Sequence, residues 1–185
     1  MSIQVILDGI TDGKYTRDRL QKIRENALRK FKEGANEARE IVDAIDRIGP
    51  PKIEAQYAFL GFCPGADIER RQDEKMLKNG IYEFDFVSSE TQLKRMGRIM
   101  AGDTIILKKR EVFAETMRIY SHGPVTQVCE SKFTGKPYFN VDWITPPEFL
   151  EVPLMGCNST INIRELAHVE ESMPKEFWDW LGWRP

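Results

Sequence analysis

What this chain has little of narrows its reading first. Its formal net charge is −2 and its pI about 5.8, so it lacks the bulk positive field of a protein that grips nucleic acid over its whole surface. Cysteine is scarce: Cys63, Cys129 and Cys157 are odd in number and far apart, which is no disulfide framework and fits free thiols in a reducing compartment. Those cysteines and the two histidines, His122 and His168, show no Cys-x-x-Cys or His-x-x-x-His spacing, so neither a metal site nor a cofactor is expected. No apolar run approaches a membrane span, and Met-Ser-Ile-Gln-Val-Ile-Leu-Asp lacks the basic start and long apolar core of a signal peptide. A cytoplasmic protein without a membrane partner is expected. Internal repeats and low-complexity segments are absent too.

What is present is the composition of a folded domain: 185 residues, 41% hydrophobic and 30% charged. From Thr16 to Ile48 the spacing predicts helix, with Leu20, Ile23, Ala27, Leu28 and Phe31 on one face and Ala38, Ile41, Val42, Ile45 and Ile48 on a second. Gly34, between the two stripes, either divides two helices or bends one. Gly49-Pro50-Pro51 ends the segment, because proline cannot continue a helix. Residues 1–50 therefore read as an N-terminal helical arm, packed on the body or used for oligomerisation, and residues 51–185 as the body with a C-terminal helix.

The body reads as short strands broken by turn residues. Gln56 to Phe62 is strand-like, and Cys63-Pro-Gly65 breaks it before a charged stretch beginning at Asp67. After the Asn79-Gly80 turn, Tyr82, Phe84 and Phe86 alternate along a strand. Ser89 and Gln92 have capping-box spacing and open a helix to about Met100. Further strands are expected at Thr104 to Lys108, Met117 to Tyr120, Val125 to Cys129, Tyr138 to Trp143 and Thr160 to Arg164, with a last helix near Pro174 to Leu181, followed by Gly182-Trp183. Trp178 or Trp180 should dock on the body. Such a series indicates an α+β protein with a small mixed β-barrel or sandwich, flanking helices and the N-terminal arm.

Three motifs carry a resemblance: Gly102-Asp-Thr-Ile-Ile-Leu-Lys-Lys, Tyr120-Ser-His-Gly-Pro-Val-Thr126 and Val141-Asp-Trp143. Over roughly Tyr57 to Trp143 the chain resembles EVE-type domains of the PUA-like superfamily, and is similar to the N-terminal DNA-binding domains of McrBC-type modification-dependent restriction proteins. The resemblance implies a PUA/EVE-like barrel that binds DNA or RNA, with a flipped, modified base in an aromatic pocket. Two departures stand out. The helical arm is not part of that pattern, and no Gly-x-x-x-x-Gly-Lys-Ser/Thr loop is present, so cleavage would need an effector protein on another chain.

The residues to hold nucleic acid follow from this reading. Between Lys94 and Arg110 the basic residues face a single acid, Asp103, and Lys94, Arg95, Arg98, Lys108 and Lys109 are expected on the phosphate backbone. Stacking candidates are Tyr57, Phe59, Tyr82, Phe84, Tyr120 and Trp143; Ser121, His122, Asp142 and Asn158 would read polar edges. Each has an ordinary alternative: an aromatic at strand spacing is usually core, and His122 in Ser-His-Gly-Pro fits a turn. Met155-Gly-Cys-Asn-Ser-Thr160 is a polar loop suited either to close approach of a phosphate or base or to a plain turn. The competing function is a small-molecule enzyme or ligand-binding barrel using His122, Asp142 and Cys157. A binding module rather than an enzyme is the first expectation.

Overall fold

The structure, a computed structural model, describes residues 2–49, 54–63, 70–84, 87–111, 113–132 and 134–182. The proline stop at Pro50 and Pro51, the break after Cys63, Phe86 and Trp183 lie outside the described residues.

Three helices open the chain: α1 (Ile3–Thr11), α2 (Arg17–Lys32) and α3 (Ala38–Ile48). Side-chain oxygens cap the first two: Ser2 accepts from the Val5 amide and Thr16 from the Arg19 amide. The apolar start at Ile3 is therefore helix. Gly34 divides α2 from α3 at φ +100°, a backbone conformation that side chains disfavour. Ile10, Leu20, Ala27, Ile41, Val42 and Ile45 bury one another, and among the described residues Met100 is the sole buried one from the body in that cluster.

The body is a mixed sheet. Its strands are β1 (Gln56–Gly61), β2 (Ile81–Tyr82), β3 (Thr104–Lys109), β4 (Thr116–Glu130), β5 (Pro137–Val141), β6 (Leu150–Pro153) and β7 (Ile161–Glu165). The order is β2-β5-β4-β3-β1-β7, with β6 also on β4. β1 and β3 are parallel, and the other pairs are antiparallel. The crossover from β1 to β3 holds α4 (Asp73–Asn79), β2 and α5 (Glu90–Met96).

Alternation sorts the central strands onto two cores. Ala58, Leu60, Ile105 and Leu107 face one core with Tyr82, Phe84, Met96 and Phe139. Tyr57, Phe59 and Ile106 face the other, closed by α6 (Leu166–Ser172) and α7 (Lys175–Leu181). Phe177 stacks on Phe59 at 6.4 Å between centroids, and Trp178 meets Tyr57 edge-on at 6.1 Å. Burying each such ring stabilises by about 1.5–3 kcal/mol. Both faces are covered, hence the nearly unbroken apolar runs of β1 and β3.

The α+β class agrees with the sequence; three finer expectations do not. Among the described residues no pairing joins β2 to β7, so the sheet is open, not a closed barrel. The two strands expected around Ser-His-Gly-Pro are one strand, β4, of 15 residues. Ser89 precedes α5 without a side-chain cap bond, so the capping box is not made, and the Gln92 carbonyl oxygen is buried without a partner.

Candidate nucleic-acid interface

The parallel strands β1 and β3 end side by side, at Gly61 and Lys109. The polar loop before β7 crosses these ends, the Gly61 amide donating to the Thr160 carbonyl at 2.8 Å. Two cations hold that loop from opposite faces of the sheet. Lys108 Nζ donates to the carbonyls of Cys157 and Ser159 at 2.7 and 2.8 Å. Arg95 donates to Ser159 Oγ at 2.8 Å and to the Ile161 carbonyl at 3.0 Å. Asn158 stays exposed at the apex of the clamped loop.

A crevice of about 400 Å³ opens here, between Gly61 to Cys63 at the end of β1, Lys108 to Glu111 at the end of β3, and Asn158 to Thr160. Among the described residues its cations, Lys108, Lys109 and Arg110, outnumber its acid, Glu111. Lys109 pairs with Glu111 at 3.1 Å, while the Arg110 Nε is buried with no hydrogen-bond partner. Beneath them, burial pushes the Lys108 ammonium down to about 8, aided by Arg110 and Arg164 and opposed by Cys157. Phe113 completes the lip: its side chain is 94% exposed, and its φ of +64° lies where bulky residues are strained. An exposed aromatic, a guanidinium at the crevice wall and an exposed amide are the parts needed to stack a planar ring and read its edge.

The expected contact residues do not share one surface. Lys108, Lys109 and Asn158 line this crevice, Lys108 also clamping its loop, and Arg95 clamps the same loop from outside the lining. Lys94 is exposed on α5 and paired with Glu90 at 2.7 Å. Arg98 lines a different crevice with Gln56, Arg164 and His168, at the opposite end of β1 and so about 17 Å away. Tyr120 and Ser121 border a third, about 710 Å³ in volume, whose rim includes Asp73, Glu74 and Glu148, the wrong sign for phosphate. Ser121 itself is buried, its hydroxyl 3.1 Å from that of Thr145.

His122 lies inside β4 rather than in a turn, its ring 4.8 Å from that of Trp180. Burial lowers its pKa, against a raising hydrogen bond with the Trp180 backbone, and its Nε2 has no partner. Trp143 is half-buried against the first core with its indole nitrogen unpartnered. Tyr57, Phe59, Tyr82 and Phe84 are core, not cage, as alternation on covered faces dictates.

His122, Asp142 and Cys157, the alternative constellation, line none of these crevices. Burial raises the Cys157 thiol, against the Arg164 and Lys108 charges, which disfavours the nucleophilic thiolate. Among the described residues no group of His, Cys, Asp and Glu is arranged to hold a metal, and no helix is long and apolar enough to cross a membrane.

The sequence reading missed Phe113 and Arg110 as contacts. Arg110 belongs to the basic stretch, but its side-chain direction depends on where β3 ends. Phe113 gave only an apolar residue in a charged loop. Comparison with protein-family models, curated proteins and solved structures yields no match.

Proposed function

We propose that the protein is a non-catalytic nucleic-acid-binding module that takes an unstacked base, modified or plain, into the crevice at the ends of β1 and β3. The observation that carries this reading is Phe113: an aromatic ring, 94% exposed at positive φ, at the mouth of a crevice lined by Lys109 and Arg110. Phe113 stacks on the base, Asn158 reads its edge, and Lys109 and Arg110 hold the flanking phosphate. This assigns the phosphate role to two cations rather than to the five named from sequence. The sequence resemblance to PUA/EVE-like domains supports the same reading. Cleavage is left to an effector on another chain, consistent with the poor placement of His122 and Cys157 for chemistry.

Fluorescence anisotropy with labelled single-stranded DNA and RNA, plain and base-modified, tests it. Two phosphate contacts should give a log affinity against log salt slope of about −1.4. Phe113→Ala should weaken binding by about 5- to 150-fold, the value of one base stacked on an aromatic ring. Asn158→Ala should change the ranking of bases more than the mean affinity. No binding at micromolar protein, or binding indifferent to Phe113→Ala, would remove the reading.

A further inference from the structure

Apart from Arg29, which donates to the Asn26 side chain at 3.2 Å, the cations of α2 fall into two sets. Arg17, Arg24 and Lys32 follow one stripe of the helix and are engaged: Arg17 with Asp103, Arg24 with Asp46 and the Val128 carbonyl, and Lys32 with Glu130. Arg19, Lys22 and Lys30 follow another stripe, are exposed, and have no acidic partner among the described residues. This second set rims a groove of about 410 Å³ between α1, α2 and α3. Its floor is apolar, including Ile3, Ile23 and Ile41, and its single acid among the described residues is Glu37. An apolar floor with a net positive rim therefore faces outward from the helical arm, on a stripe that makes none of the polar ties to the body.

From this we infer that the groove docks an amphipathic helix of a partner protein, with apolar residues on the floor and Asp or Glu against Arg19, Lys22 and Lys30. Charge complementarity selects that occupant: three unpaired cations favour acidic flanks and penalise basic ones, and a helix laid into a groove presents apolar anchors at i, i+3, i+4 and i+7. The interaction is independent of the crevice at β1 and β3.

The test uses the full chain and a fluorescent synthetic helix of about four turns, with Leu at those anchor positions and Glu at the flanks, beside the same helix with Lys for Glu. The Glu helix should bind at least about tenfold tighter than the Lys helix, and the double variant Lys22→Glu, Lys30→Glu should abolish or invert that preference. Both substitutions are at exposed positions, so the far-UV spectrum should be unchanged and oligonucleotide binding retained. Equal affinity for the two helices, or a preference that survives the double variant, would overturn the inference. So would light scattering that shows a dimer dissolved by the double variant, which would give the groove to a second copy. Displacement of the Glu helix by anionic phospholipid vesicles would give it to a lipid surface.

Discussion

Lys108 illustrates how one residue's role depends on the face of the strand it occupies. Ile105 and Leu107 face one core and Ile106 the other, so strict alternation puts Lys108 on the Ile106 side, under the loop at Cys157. Its ammonium holds that loop at the cost of desolvation, which lowers its pKa to about 8 from 10.5. The sign follows from proton counting. Below pH 8 both folded and unfolded chains carry the charge and the folded state bears the full burial penalty; between pH 8 and 10.5 the folded Lys108 has lost its proton while the unfolded one keeps it, so stability rises with pH. The urea midpoint of the wild type, measured relative to Lys108→Met, should therefore increase between pH 8 and 10 by the equivalent of about 2 kcal/mol. Parallel pH curves for the two proteins would mean an ordinary, solvated lysine. The strand and its basic end were legible in the sequence, but the ammonium's destination was not, because the carbonyls it reaches are 49 and 51 residues away.

Among the elements, β4 decides the architecture. Thr116 to Pro124 pair with β6 and β3, and Val125 to Glu130 pair with β5, so one strand serves both halves of the sheet. Pro124, which has no amide proton, sits where the partners change, and that position makes a mid-strand proline tolerable. Gly123 beside it lets the chain at Asp142 come close: a Cβ there would lie 2.2 Å from the Asp142 carbonyl oxygen. His-Gly-Pro was read as a turn because those residues usually make one. Here the same residues mark a strand crossing, a distinction set by tertiary contacts such as the His122 to Ile144 bridge. Gly123→Ala should cost about 1–3 kcal/mol, since rigid backbone rather than a mobile side chain must give way. Gly97→Ala, where the nearest atom would be 3.5 Å away at ordinary φ, serves as the comparison and should stay within about 0.5 kcal/mol. Equal thermal midpoints for the two variants would remove close approach as the reason for glycine at 123.

At the scale of the whole molecule the question is what joins the arm to the body. Asp103, read in sequence only as the lone acid of a basic stretch, is fully buried and accepts four hydrogen bonds. Two come from Arg17 at 2.6 and 2.5 Å, one from the Gln56 amide at 2.9 Å and one from the Met100 amide at 2.8 Å. Arg17 also reaches the carbonyls of Glu54 and Arg98. The Gly-Asp motif that opens β3 thus fixes the first turn of α2, and a pair 86 residues apart leaves no local trace in the sequence. Leaving a buried charge without its partner costs about 3–5 kcal/mol. All four tryptophans lie in residues 51–185, whereas among the described residues the larger share of helix belongs to α1, α2 and α3, so fluorescence follows the body and far-UV ellipticity follows both parts with the greater helical weight on the arm. In the wild type both signals should unfold at one urea concentration. Arg17→Met should lower that midpoint and separate the signals, with the arm's share of the ellipticity lost first as the arm detaches from a body that still buries Trp178. If the signals stay coincident in the variant, apolar contact through Met100 and the remaining polar ties, the residue 17 amide to the Glu54 carboxylate, Gln21 to the Gly97 carbonyl, Arg24 to the Val128 carbonyl and Lys32 to Glu130, suffice to couple the two parts, and the Arg17 side-chain pair is not the tie.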